Sequence, residues 1–250
     1  MTILRNTTWR AIRERPFRVA VLPWGATEAH NYHLPYGTDV IEAESIGARA
    51  VEAASAQGAP VVLLPAIPFG VQTGQLNIPL CINMNPSTQA AVLRDVIQSL
   101  EPHGIRALVV LNGHGGNDFR QIIRELQPST RIVLVQVNWY QVRDARAYFD
   151  EPGDHGGELE TSVMLHLAPE LVRPLSDAGP GAARKPSVQG MREGWAWTPR
   201  RWTQVTEDTG VGDPSRASAE KGARYVADVT AALAQLFVEL CEVNPDQLYT

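Results

Sequence analysis

The chain is predicted to be an α/β protein, a three-layer α/β/α sandwich with a mostly parallel central sheet. Short apolar runs alternate with amphipathic helical stretches, which is the pattern of a parallel sheet covered on both faces. Two groups of polar, chemistry-bearing residues follow directly after such runs, where open parallel sheets place their ligand crevice. The 250 residues suffice for one large domain with a substantial core, and we expect a single domain over 1–250.

The first strand is the apolar run Val19-Ala20-Val21-Leu22. A helix follows over 40–57, with Ile41, Ile46, Ala50 and Val51 among polar and small residues and Gly58 ending it. Pro60-Val61-Val62-Leu63-Leu64-Pro65 reads as a second buried strand. The aperiodic stretch 66–85, with Pro68, Gly70, Gly74 and Pro79, reads as a long loop. Pro86 opens a helix through Leu100. Arg106 to Leu111 is the third strand, a helix occupies about 117–127, and Arg131 to Val137 is the fourth strand. A helical run around Val163, Met164, Leu165 and Leu167 stops before Pro169. Residues 170–213 are punctuated by Pro and Gly and hold Trp195, Trp197 and Trp202, so they read as an irregular lid or subunit-contact segment. The tryptophans' packing against the chain's own core is the equally weighted alternative. A last helix spans about Pro214 to Val243 with a long apolar stripe.

Composition excludes several classes. The net charge of −5 is mild and the basic residues are scattered, so nucleic acid is not an expected partner. No apolar stretch reaches membrane-spanning length, and the first residues lack a secretory pattern. Two cysteines, Cys81 and Cys241, make neither a disulfide framework nor a thiolate metal site, so we expect a cytoplasmic protein.

Three polar clusters remain. Between the first strand and the next helix lie Glu28, His30, His33 and Asp39, all of which can bind a divalent cation. If the chain stays extended through Glu28 and His30, both side chains share one face. Asp39 either caps the helix or turns back toward the same spot. A carboxylate and imidazole set suits zinc, manganese or iron(II). His33 reads as a ligand or, preferably, as a hydrogen bonder behind the ligands. The third strand runs into Asn112-Gly113-His114-Gly115-Gly116-Asn117, which lacks nucleotide-binding spacing and places glycines around one imidazole. The third cluster is Asp154-His155-Gly156-Gly157-Glu158-Leu159-Glu160. Glu158 and Glu160 lie near a helix start, where the helix dipole alone favours carboxylates. His155 and Glu160 are the preferred pair, one as proton shuttle and the other as ligand or supporting carboxylate.

These stretches resemble the creatininase (creatinine amidohydrolase) family. Gly25-Ala26-Thr27-Glu28-Ala29-His30, then His33-Leu34-Pro35 and Gly37-Thr38-Asp39, look like its signature, and 112–117 and 155–162 match its later motifs in order. The resemblance covers roughly residues 19–168 and implies an α/β/α fold, a dinuclear metal centre with two divalent cations per chain (Zn, Mn or Fe) and assembly as a homohexamer. It implies that Glu28 and His114 hold one metal, His30 holds the other, Asp39 bridges both, and His155 is the catalytic histidine. It also implies hydrolysis of a small-molecule amide: a cyclic amide, formamide or related C–N bond. Three departures stand out. Creatininase has a carboxylate where this chain has Gly116, so the second metal either takes another ligand, with Glu160 the candidate, or binds weakly. The usual Phe-Pro-Gly-Thr-like turn is replaced by Asn77-Ile78-Pro79-Leu80-Cys81, and no tryptophan lies just ahead of His155. Creatinine is therefore not the expected substrate. Relatives with this glycine-type motif include formamide hydrolases and peptide-processing members. A non-catalytic metal-binding protein and a metal-dependent aldolase or sugar isomerase are the competing classes.

Overall fold

A computed structural model describes every residue except Met1, Asp246 and Thr250. Four strands form one sheet: β1 (Val19–Trp24), β2 (Val61–Leu63), β3 (Ala107–Asn112) and β4 (Val133–Asn138). Their order is β2-β1-β3-β4 and all pairings are parallel. The helices are α1 (Trp9–Arg13), α2 (Thr38–Ala56), α3 (Pro86–Leu100), α4 (Phe119–Leu126), α5 (Glu158–Leu167), α6 (Gln189–Arg192), α7 (Trp202–Val205) and α8 (Ala219–Glu242).

Strand alternation divides the core into two layers. Val19, Val21, Leu63, Val109 and Leu111 face one side, where they pack on Ile46 and Val51 of α2, Val163 of α5 and Val229 and Phe237 of α8. Ala20, Leu22, Trp24, Leu108 and Val110 face the other, against Leu93 and Ile97 of α3 and Phe119 and Leu126 of α4. The central strands are buried on both faces, which is why they read as unbroken apolar runs rather than as an alternating pattern. The three-layer α/β/α sandwich is thus what the sequence predicts.

Element ends differ from the sequence expectation where a local cap decides them. The last helix starts at Ala219 rather than near Pro214, because the Ser218 hydroxyl accepts the Lys221 amide and caps it. Asp118 does the same for α4 by accepting the Arg120 amide at 3.1 Å. The chain also does not continue extended through Glu28 and His30. β1 ends at Trp24, and the stretch beyond it makes only isolated bridges at Thr27 and His30 before Asn31 turns at φ 54°. Asn tolerates this left-handed geometry because its short polar side chain bonds locally.

Residues 170–213 carry two short helices, α6 and α7, and are tied to the loops beyond the sheet. Asn31 accepts the Gly179 amide at 2.7 Å and donates to its carbonyl at 3.0 Å, while His155 and Val211 bridge through their backbones. Among the described residues no helix is long and apolar enough to cross a membrane.

Phe237 is completely buried between α8 and the sheet. Phe237→Ala is expected to lower stability by about 3–5 kcal/mol, read as a fall in the urea midpoint at unchanged m-value. A wild-type midpoint would mean that α8 does not hold this layer.

Candidate metal centre

The strand ends bring the polar clusters together through close backbone packing. A Cβ on Gly25 would sit 2.6 Å from the Val40 amide nitrogen, and one on Gly113 would sit 2.6 Å from the Asp39 carbonyl oxygen. Only glycine at both places lets the first turn of α2 press against the ends of β1 and β3. That contact delivers Asp39 to the sheet's carboxyl edge. Asp39 is not a helix cap, since Gly37 occupies that position and no side chain caps α2. Its carboxylate turns back toward His30 and His114 instead.

All six predicted site residues meet here. Glu28, His30, Asp39, His114 and His155 are buried, and Glu160 reaches the same cavity partly exposed. His114 Nδ1 lies 2.6 Å from Glu28 Oε1 and 3.0 Å from Asp39 Oδ2. His30 Nε2 lies 2.9 Å from Asp39 Oδ1, and His155 Nδ1 lies 4.0 Å from Glu28 Oε1. Three sets have all their ligand-type atoms within 4.8 Å of one another: Glu28, Asp39 and His114; His30, Asp39 and Glu160; and Glu28, His30 and His155. Asp39 belongs to both of the first two.

The imidazoles are aimed by backbone carbonyls, which can only accept. His114 Nε2 donates to Val71 O at 2.9 Å, His155 Nε2 to Ala29 O at 2.8 Å, and His30 Nδ1 to Glu28 O at 3.2 Å. In each ring the remaining nitrogen faces the carboxylates. This division of labour is typical of metal-binding histidines. With His30 and His114 neutral, Glu28 Oε1, Asp39 Oδ2 and His30 Nε2 are buried and have no hydrogen-bond partner among the described residues. Buried groups of this kind are costly unless a charge of opposite sign satisfies them. The donor set, its convergence and its unsatisfied atoms fit divalent cations.

The electrostatics follow from the same crowding. Burial works against a charge on His30, yet the Asp39 carboxylate beside it, with Glu160 and Glu28, pushes its imidazole up to about 10. Burial likewise opposes charge on His114, but Glu28 and Asp39 raise it well above the usual histidine range. Burial alone would raise Asp39; the charges of His30 and His114 hold it below the ordinary carboxylate range instead. Glu160 goes the other way, pushed up to about 7 by burial. His155 is pushed down to about 4 by burial and then by the charge of His30, whose ring stacks on it at 4.0 Å.

The remaining sequence candidates separate cleanly. His33 bonds through Nε2 to Thr161 Oγ1 at 2.8 Å, behind the cavity rather than in it. Glu158 is structural: its side chain pairs with Lys221 and accepts the Glu151 amide at 2.8 Å. Gly116 has no room for a carboxylate side chain, since a Cβ there would overlap Val71 O and His114 Nε2. Glu160 supplies a carboxylate from α5 instead. Sequence reading missed Gln75, whose amide donates to Glu28 Oε2 and whose oxygen accepts the Cys81 thiol at 3.2 Å. No spacing or composition signal marked it, because it lies in the aperiodic loop. Cys81 thus helps to hold this loop, and both cysteines are free. Of the three tryptophans, Trp195 and Trp197 are 76% and 83% exposed, whereas Trp202 packs on His155 with ring centroids 4.6 Å apart.

An α/β sandwich that gathers carboxylates and carbonyl-anchored imidazoles at the carboxyl edge of its sheet has the makings of a metal-dependent hydrolase. Comparison with known proteins makes this specific: the family model for creatininase, creatinine amidohydrolase, matches residues 5–237, and the chain belongs to that family of metal-dependent amidohydrolases. It is 27% identical to the creatinine amidohydrolase of Pseudomonas putida over 66% of this chain and 71% of that one. It is 30% identical to the mycofactocin precursor peptide peptidase of Mycobacterium ulcerans over 89% of this chain and 82% of that one. A Bacteroides fragilis protein described provisionally as a creatinine amidohydrolase superposes with a TM-score of 0.93 at 40% identity, covering 100% of this chain and 98% of that one. Solved creatininases include a Zn-Zn form and an Mn form, with TM-scores near 0.77 at 23% identity that bear on the fold alone.

Because Asp39 is shared between two donor sets, Asp39→Asn is expected to remove more metal than His114→Ala, with elemental analysis of the purified chains as the measure. Equal metal content in Asp39→Asn and wild type would contradict the shared role. Metal uptake must also displace protons from His30 and His114, whose imidazoles are raised and so protonated at neutral pH in the metal-free protein. Affinity for Zn or Mn is therefore expected to rise with pH up to about 10, where the His30 proton is lost, with proton release visible as a buffer-dependent heat. A pH-independent affinity would show that the imidazoles are not the ligands.

Proposed function

We propose that the protein hydrolyses a C–N bond of a small amide, with two divalent cations held per chain. The observation that carries this reading is the shared position of Asp39 between two carboxylate and imidazole sets. Glu28, Asp39 and His114 would hold one cation, and His30, Asp39 and Glu160 the other. Cations held there supply Lewis acidity, polarising a carbonyl and making water nucleophilic near neutral pH. Zinc, manganese or iron(II) suits these donors.

The chain's own residues do the rest. His155 is neutral at pH 7, and the Ala29 carbonyl holds its Nε2 proton, so Nδ1 presents a free lone pair to the cavity. Nδ1 accepts a proton from the attacking water and passes it to the departing nitrogen. An imidazole held neutral must take up the proton before giving it, so His155 acts as base first and acid second. Gln75 braces Glu28 from the side opposite His114. The Gly156 amide donates to Glu160 and holds it at the start of α5.

Cyclic amides, formamides and short peptides are the substrate classes to test. The similarity to a peptide peptidase favours keeping peptides among them. A non-catalytic binding role is the weaker reading, because Glu160 fills the place of the carboxylate missing at Gly116 and His155 is kept beside it. We also read the chain as one domain over 1–250 that assembles with copies of itself as a homohexamer in the cytoplasm, with neither nucleic acid nor membrane as a partner.

The test is turnover by the Zn- or Mn-loaded protein on those substrates, against sugars as the control for aldolase or isomerase chemistry. His155→Ala is expected to keep its metal and to lose about 10²–10⁴-fold in kcat. Full activity in that variant would end the proton-carrier assignment.

A further inference from the structure

The cavity over the metal centre has a volume of about 280 Å³ and is strongly acidic, lined by Glu28, Asp39, Asp154 and Glu160. One permanently cationic side chain lines it, Arg200, from the irregular segment 170–213. Its guanidinium carbon lies 5.6 Å from the centroid of the Trp202 ring, and that ring packs on His155 at 4.6 Å. The series His155, Trp202, Arg200 therefore sets a planar cation one aromatic ring away from the proton carrier. The backbone beneath it is held closely: a Cβ on Gly74 would overlap the Arg200 carbonyl and approach Trp202 Cδ1 to 3.2 Å.

The guanidinium fork is engaged by one partner, the Asp154 carboxylate, which also lines the cavity. The two side chains are 49% and 55% exposed, so water screens the pair and it contributes little to the fold. An incoming carboxylate can take the place of Asp154 at the planar fork, which recognises it through paired N–H donors, while the displaced Asp154, already half exposed, is left to water. A pocket meant only for neutral amides gains nothing from a guanidinium at this place.

We propose that Arg200 is a specificity-determining residue that reads a free carboxylate on the substrate. The substrate class is then an amide with an acidic group beside the bond to be cut, such as an N-acyl amino acid or the carboxyl end of a short peptide. This rests on the hydrolase reading above and narrows it. Asp154 occupies the fork until substrate displaces it.

The experiment is calorimetric binding of N-acetylglycine and of its uncharged counterpart, N-acetylglycinamide. Both are titrated into wild type, Arg200→Gln and Asp154→Asn, each metal-loaded and chelator-stripped. Stripping the metal matters because cations bind carboxylates themselves. In both states the acid is expected to bind wild type at least about tenfold more tightly than the amide. That ratio should fall toward one in Arg200→Gln and rise in Asp154→Asn, where the competing carboxylate is gone. The proposal is overturned by equal binding, by no binding of the acid, by a preference present only with metal, or by a ratio unchanged in Arg200→Gln. Equal weakening of both ligands in Arg200→Gln would mark Arg200 as a latch for its segment and equally overturn it. Hydrolysis of acid and amide at the same rate would overturn this inference and leave the hydrolase reading intact. An Arg200-dependent preference without turnover on any substrate would do the reverse.

Discussion

Two buried carboxylates, a third that is partly exposed, and three imidazoles at one sheet edge form the constraint on which the remaining structure depends. Glu28, Asp39 and their neighbours have almost no access to water, and several of their ligand atoms find no hydrogen-bond partner. Burying a single uncompensated charge costs several kcal/mol, a large part of a domain's net stability. The two core layers, with large side chains such as Trp24, Phe119 and Phe237 fully buried, supply the stability that tolerates this. What relieves the strain chemically is positive charge, as protons on His30 and His114 or as cations between the same atoms.

Geometry rather than charge decides which atoms meet. Backbone carbonyls of Glu28, Ala29 and Val71 each accept a hydrogen bond from one imidazole N–H, so the choice of reactive nitrogen is made by the main chain. Main-chain groups are fixed by the fold and cost no extra ordering, which suits a site whose ligand atoms must stay aligned. The two close approaches at Gly25 and Gly113 belong to the same design. They bring a helix start against two strand ends and so place a carboxylate where neither strand could reach.

The carboxylate of Glu160 illustrates how one ligand can be supplied from a different element. The backbone at Gly116 passes too near Val71 and His114 for any side chain, so β3 cannot offer a second ligand there. α5 does so from the opposite side of the cavity. Trp202 and Arg200, side chains from a segment with little regular structure of its own, also line that cavity.

Much of this was legible in the amino-acid order. Unbroken apolar runs at 19–22 and 107–111 required a buried parallel sheet, and polar clusters directly after them required a site at its carboxyl edge. The residues themselves, Glu28, His30, Asp39, His114, His155 and Glu160, were named by chemical type and spacing. That they meet in one cavity was decided by the tertiary structure. Periodicity cannot reveal that Glu158 is spent on Lys221 while Glu160, two residues on, turns into the cavity, because that depends on where α8 packs. It cannot place Gln75 or Arg200 either. Both lie in aperiodic stretches, whose position is set by long-range contacts rather than by any local repeat.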